Sequence, residues 1–277
     1  MTIQMTYEEL TEQLKAVIGD KSKINDLVKV VDRETSAPVL ITPLMMAVLN
    51  YDVSSVRLLL QNGADIGAVD KELESGGGRT ALHYAARFGN EPIVAELVAS
   101  HASVDAIDNY GATPLYYACN FGHIGTVRFI LEHGANPNGV RRDESKSALR
   151  ECPLVAAAKR EHITVVDILL DAGADPNVTD STKRTPLIYA ARKHNTSLIQ
   201  RLLSKKVDIG RVDKYGENAL MHAALGNNQA VDTIALLVEA GADISKKDKH
   251  GRTAVDKLKM VIEFIERAGK KKLPLEE

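Results

Sequence analysis

Eight histidines and two cysteines are the groups in this 277-residue chain with the most chemistry to offer. A zinc site would need three or four of them converging, usually as closely spaced pairs. Cys119 and Cys152 are far apart, and each sits in an apolar-patterned segment, so both read as small buried hydrophobes. No His-Glu-x-x-His stretch and no His/Cys/Asp cluster occurs. His83 stands fourth in "TALH", placed to hydrogen-bond the Thr that begins the segment, while His101, His123 and His133 fall at segment ends or turns. The glycine-rich "ELESGGGR" lacks the Gly-Lys-Ser/Thr element of a phosphate loop. No serine occupies a nucleophile elbow, and the acidic residues lie mostly in turns. No catalytic constellation emerges, so no catalytic residue, metal or cofactor is expected.

Composition narrows the remaining classes. Hydrophobic residues make up 44% and charged residues 26%, an ordinary globular balance, while aromatics reach only 4% and tryptophan is absent. The core must therefore be aliphatic. A net charge of −2 exerts no global pull on nucleic acid or anionic membranes, so no nucleic acid is expected as a partner. No run approaches 18 apolar residues, which argues against membrane insertion. "MTIQMTYEELTEQLKAVI" has no basic region followed by an apolar run, so the expected setting is intracellular and cytoplasmic, with a chain that is monomeric on its own.

Something must position these side chains, and a repeat does. "TPLYYACNFGHIGTVRFILEHGANPN", from Thr113, holds two short amphipathic segments, a glycine stop and a turn. Similar segments begin at Thr42, Thr80, Thr113, Cys152, Thr185, Asn218 and Thr253, mostly 33 residues apart, the period of a solenoid. Thr at the first position can cap a helix, and Pro beside it suits the first turn, where its missing N–H costs nothing. Ala85–Ala86, Ala157–Ala158, Ala190–Ala191 and Ala223–Ala224 allow close helix approach. Gly63, Gly134, Gly173 and Gly241 stop the second helices, and the turns Asp108–Gly111, Asp213–Gly216 and Asp248–Gly251 lead into the next unit. Neither helix can bury its apolar face alone, so each repeat must stack on its neighbours.

The residues "TALHYAA", "TPLYYAC" and "TPLIYAA", followed by "LLQNGAD", "ILEHGAN", "LLDAGAD" and "LVEAGAD", resemble the ankyrin repeat family over roughly residues 42 to 268. The expected fold is all-α: a curved solenoid of helix–turn–helix repeats joined by hairpin-like turns, with capping helices at both ends. The expected organisation is an N-terminal cap over 1–41, in which 5–31 reads as two helices. Six repeats follow over 42–252 (42–79, 80–112, 113–151, 152–184, 185–217 and 218–252), then a capping half-repeat and tail over 253–277. Two insertions, "KELESGGG" and "VRRDESKSALRE" with Arg141, Arg142 and Lys146, interrupt the period.

The resemblance implies a non-catalytic adaptor or scaffold that meets protein partners through the concave ends of its first helices and its turn tips. The alternatives are a permanent subunit of a large assembly and, further off, an enzyme. Matching positions at the first-helix ends are Arg87–Phe88, Asn120–Phe121, Lys159–Arg160 and Arg192–Lys193, with Leu49–Asn50 in the first repeat. Aromatics give way to paired cations along this row, which suits an acidic, partly apolar segment. Were Phe88 and Phe121 merely structural, they would touch each other across repeats. In the sixth repeat two extra residues leave the register of this row open. Tip residues include Asn109, Tyr110, Lys214, Tyr215, Lys249 and His250. Tyr84, Tyr117 and Tyr189 share one repeat position and read as a packing ladder. Asn177, and more weakly Asn138, resemble the hairpin asparagine hydroxylated in some members of the family.

Overall fold

The computed structural model describes residues 12, 14–17, 20–31, 38–72, 77–140, 152–225 and 230–271. Helices come in pairs: α1 (Pro43–Leu49) with α2 (Val53–Gln61), α3 (Ala81–Phe88) with α4 (Glu91–Ala99), and α5 (Pro114–Phe121) with α6 (Ile124–Glu132). Next come α7 (Pro153–Lys159) with α8 (Ile163–Asp171), α9 (Pro186–Arg192) with α10 (Thr196–Leu203), and α11 (Ala219–Ala223) with α12 (Ala230–Glu239). A last helix, α13 (Ala254–Lys271), closes the described chain. First helices pack on first helices and second on second, along the whole row.

Local chemistry starts each first helix where the sequence predicts. Oγ1 of Thr42, Thr113 and Thr185 accepts the N–H three residues on at 3.2–3.3 Å, and Asn218 does the same at 2.9 Å. Cys152 holds the corresponding position without a side-chain cap; it is half-buried, not buried, and its thiol lies 3.6 Å from the carbonyl of Thr179. At one repeat position every second helix places a wholly buried aliphatic residue in the spine: Leu59, Leu97, Ile130, Leu169, Leu202 and Leu237. Truncating any one of these to Ala should cost about 2–5 kcal/mol.

Second helices other than α10 are followed by a left-handed residue. Gly134 has φ +90°, its N–H bonds to Leu131 O, and Ala135 N–H reaches back to Ile130 O. A Cβ built on Gly134 meets nothing within 4 Å, so a side chain there would be strained by its backbone alone. Gly134→Val is expected to lower the unfolding free energy by about 1–3 kcal/mol. A urea titration showing almost no loss would mean that α6 does not depend on this stop. His101 adopts φ +66° at the matching place after α4, so the stack already carries one non-glycine stop.

The N-terminal cap departs from expectation. Residues 14–17 are helical and Lys21–Lys23 form a 3₁₀ turn, but the second expected helix is replaced by a strand. β1 (Val28–Val31) pairs antiparallel with β2 (Pro38–Ile41), which pairs antiparallel with β3 (Lys71–Glu72) in the first insertion. Val39 and Ile41 point into the core while Leu40 between them is half-buried, the period-two alternation of a strand. β-branched residues at 28, 30 and 31 favour this pairing over a helix, and the partner strand β2, itself paired to β3 from the first insertion, makes it possible. Leu14, Val17 and Ile24 join the same apolar cluster, so the segment still closes the end of the stack. Gly77 and Gly78 of the first insertion are hydrogen-bonded, Gly77 O to Asn109 N–H and Gly78 N–H to Asp70 O. The remainder of that insertion at 73–76, and the loop containing Arg141, Arg142 and Lys146, lie outside the described residues.

Candidate functional site

The first five first helices each end within two residues of a left-handed one: Tyr51 (φ +58°), Gly89 (+67°), Gly122 (+75°), Glu161 (+63°) and His194 (+55°). Reversal there places the last helical side chains in a row along one edge of the stack. At these helix ends stand Arg87, Phe88, Asn120, Phe121, Lys159, Arg160, Arg192 and Lys193, while of the first repeat's pair Leu49 is half-buried and Asn50 buried.

Phe88 and Phe121 do not form the direct pair that a structural role would need. Phe88 meets Tyr51 edge-on at 6.0 Å between centroids, and the Arg87 guanidinium sits 5.8 Å from the Phe88 ring and 5.7 Å from that of Phe121. Phe121, 40% exposed, stacks on His123. Tyr51 is 56% exposed and was missed because only the pair before it was singled out; an aromatic directly after Leu49–Asn50 was the available signal. Leu225 settles the sixth register: it lies just past α11 at the place Arg192 holds beside α9, and it is 50% exposed.

The basic half is less uniform than its sequence. Arg160 Nε donates to Asn120 Oδ1 at 3.3 Å, and the Lys159 ammonium stands 5.9 Å from the Tyr189 ring. Lys193 faces Glu161 at 3.8 Å. Among the described residues none pairs with Arg192, which lines an open recess of about 320 Å³ together with Arg184, Glu217, His222 and Leu225.

Beneath this edge runs a buried polar ladder. The tyrosines read as packing residues donate to turn aspartates: Tyr84 to Asp70 (2.6 Å), Tyr117 to Asp108 (2.7 Å) and Tyr189 to Asp180 (2.6 Å). His222 takes the tyrosine's place against Asp213 at 3.0 Å, and Lys257 does so against Asp248 at 3.3 Å. Burial raises the hydroxyl pKa of Tyr84 and Tyr117, helped by the adjacent carboxylates. Burial also pushes Asp213 up, but the N–H groups of Glu217 and Tyr215 and the His222 ring outweigh it, leaving Asp213 below the usual carboxylate value. His222 is lowered by burial in spite of Asp213 and Glu217.

His83 fulfils its expected structural use. Its Nδ1 accepts from Thr80 N–H at 3.0 Å, and Nε2–H donates to Ala112 O at 3.2 Å, which fixes a neutral ring in this tautomer. Burial lowers its pKa to about 4. His123 and His162 likewise span neighbouring units, with Nε2 2.9 Å from Arg87 O and 3.2 Å from Asn120 O.

One group of histidine and acidic side chains converges among the described residues: Asp213, Glu217 and His222 bring ligand-type atoms within 4.8 Å of one another. Arg184 Nε lies 3.4 Å from Asp213, and Lys257 hydrogen-bonds Glu217. With His222 neutral, two carboxylates already face two cations, so a divalent ion would bring charge the cluster does not need.

Turn tips are tied in series. Backbone N–H groups of Asn109, Lys214 and Lys249 donate to Gly77, Thr182 and Tyr215 at 3.0, 2.8 and 3.0 Å. Tyr110 is half-buried and Tyr215 exposed, with the Lys214 ammonium 5.0 Å from the Tyr215 ring. Asn177 and Asn138 join successive hairpins: Asn177 Oδ1 accepts from Asp208 N–H at 2.6 Å and its Nδ2 donates to Lys206 O, while Asn138 Oδ1 accepts from Asp175 N–H at 2.7 Å.

Comparison with known proteins adds the lineage of this architecture. A family model described as "Ankyrin repeats (3 copies)" matches residues 42–140 and 154–248. Ankyrin repeat and KH domain-containing protein mask-1 of Caenorhabditis elegans is 32% identical over 141 residues, 50% of this chain but 5% of that protein. Human Ankyrin repeat and SOCS box protein 3 is 33% identical over 101 residues, 36% of this chain and 19% of its own length. The matches thus span a small part of these curated relatives. The human ASB11 ankyrin repeat domain superposes with TM-score 0.66 at 23% identity, covering 81% of this chain and 97% of that one. The ankyrin repeat domain of Bcl-3 superposes with TM-score 0.62 at 26% identity, covering 82% and 98%.

Proposed function

This chain belongs to the ankyrin-repeat family, and we propose on that premise that it is a non-catalytic protein-binding adaptor or scaffold, working in the cytoplasm. The observation that carries the reading is the row of first-helix ends, where Tyr51, Phe88 and Phe121 pass into Lys159, Arg160, Arg192 and Lys193. Tyr51 and Phe121 are exposed and Phe88 is half-buried, with the Arg87 guanidinium against the two phenylalanine rings. Aromatic and Arg side chains most often dominate binding energy, and the cations favour an acidic partner segment. A permanent assembly subunit would need a continuous apolar stripe on the second helices. Exposed apolar residues there come one or two to a helix, as Leu58, Ile124, Val231 and Val238 do, which is ordinary surface and favours the adaptor.

Affinity purification with mass spectrometry would identify the partner, and two double variants then test the face. Phe88→Ala with Phe121→Ala is expected to raise the dissociation rate about 30-fold, the loss of ~2 kcal/mol at a buried centre. Arg160→Glu with Arg192→Glu is expected to slow association, most at low salt, because exposed charge acts mainly on the encounter. If both variants fold and bind the native partner as wild type does, the first-helix face is not the site.

A further inference from the structure

We propose that the recess between α9 and α11 seats one carboxylate side chain of a partner's acidic segment, at Arg192, with an aliphatic side chain of the same segment resting on Leu225. The proposal deepens the protein-binding reading above and rests on it. The recess holds about 320 Å³ and is lined by Arg184, Arg192, Glu217, His222 and Leu225. That is room for a side chain or two, at the small end of ligand sites.

Its depth and its rim differ in what they can accept. At depth every charge is already answered: Arg184 by Asp213, Glu217 by Lys257, and His222 by Asp213. Glu217 also repels an anion that goes deep. At the rim, Arg192 is exposed and has no partner among the described residues. The other four cations of the row are engaged, Arg87 with the Phe88 and Phe121 rings, Arg160 with Asn120, Lys159 with the Tyr189 ring and Lys193 with Glu161. An unengaged guanidinium offers a fork of donors that matches a carboxylate. Leu225 holds the next place in the same row and supplies the apolar neighbour.

Spacing fixes the form of the ligand. Packed helices stand 8–10 Å apart, and a polyproline II chain advances about 3.1 Å per residue with about three residues per turn, so Arg192 and Leu225 are matched by side chains three residues apart on one face. The segment expected to bind therefore carries an acidic residue and, three positions away, an aliphatic one.

A fluorescein-labelled dodecapeptide repeating Glu-Ser-Gly-Leu tests this by anisotropy at low ionic strength, beside one with Gln for Glu and one with Ser for Leu. Wild-type protein is expected to bind the first and to bind each control about tenfold more weakly. Arg192→Ala and Leu225→Ala should each cost about tenfold with the first peptide, and Arg160→Ala less than about twofold, its guanidinium being already engaged. The proposal is overturned if the Gln peptide binds as well as the Glu peptide, if either variant binds like wild type, or if wild type shows no binding up to millimolar peptide. Native-partner binding by the Phe88/Phe121 variant is read separately. The recess can thus fail while the face stands, and a face that fails is recognised by that partner alone.

Discussion

Lys257→Ala is expected to lower the unfolding free energy by about 3 kcal/mol, far more than loss of an ordinary surface cation. Lys257 is 3% exposed, contacts the carboxylates of Glu217 and Asp248, and occupies the ladder position that tyrosine holds elsewhere. Glu217 in turn stands directly before the helix cap, where Arg79 and Arg184 stand in other units. The two substitutions compensate each other. A tyrosine answered from the arginine side has become a lysine answered by a glutamate. Removing the ammonium strands Glu217, because Asp248 keeps Arg252 at 3.0 Å while Glu217 retains only the neutral His222 at 3.5 Å. Contacts run between neighbouring units, so the damage should stay local. Amide exchange should accelerate in α13 and leave α3 to α6 unchanged. Adding Glu217→Gln should recover part of the loss, since the pair is coupled. A loss well below 1 kcal/mol would show that the pair behaves as a solvated surface bridge.

Stability should also fall as pH drops below about 6.5, and His83 should be the main cause. Its folded pKa is about 4 because burial penalises the charged ring, against an ordinary value of 6.5. Between those values the unfolded chain takes up the proton and the folded one does not. The contribution is therefore complete above pH 6.5 and is lost as pH falls towards 4, amounting to about 2 kcal/mol at pH 5. His222, also lowered by burial, acts in the same direction. Asp180, Asp213 and Asp248 lie below 3.8, so their share is lost only in stronger acid. Urea titrations at pH 7 and pH 5 separate the effects. His83→Gln keeps an acceptor for Thr80 N–H, as in a capping box, and should flatten the pH dependence at a cost of about 1 kcal/mol at pH 7. Equal slopes for variant and wild type would remove His83 as the cause.

What was legible in the sequence is what is decided locally. Thr42, Thr113, Thr185 and Asn218 cap their helices, and Gly63, Gly134, Gly173 and Gly241 turn left-handed, because each needs only its nearest residues. The small sheet was not legible, since Val28–Val31 becomes a strand by pairing with Pro38–Ile41, which in turn pairs with the distant Lys71–Glu72. The Tyr84, Tyr117 and Tyr189 column could be read as packing, but its aspartate partners depend on how the hairpin folds back over the helix. The helix ends that carry the row were legible in the sequence, and the surroundings of its side chains only in part. Glu161 takes up Lys193, and Leu225 was hidden by two extra residues that shift the period without shifting the stack.

That last observation reaches beyond one residue. Every paired first helix but α7 carries its own starting side chain and, where the turn is described, each has its own left-handed terminator, so the units are delimited from within. The boundary works as a synchronising mark does in a coded signal: whatever happens between words, the next word begins in phase. Helices α5 and α7 pack together although their starts, Pro114 and Pro153, stand 39 residues apart instead of 33, and α11 still pairs with α12 across 226–229. Insertions here are therefore phase-neutral. The stack can acquire new surface between its units without the rest of the message being rewritten.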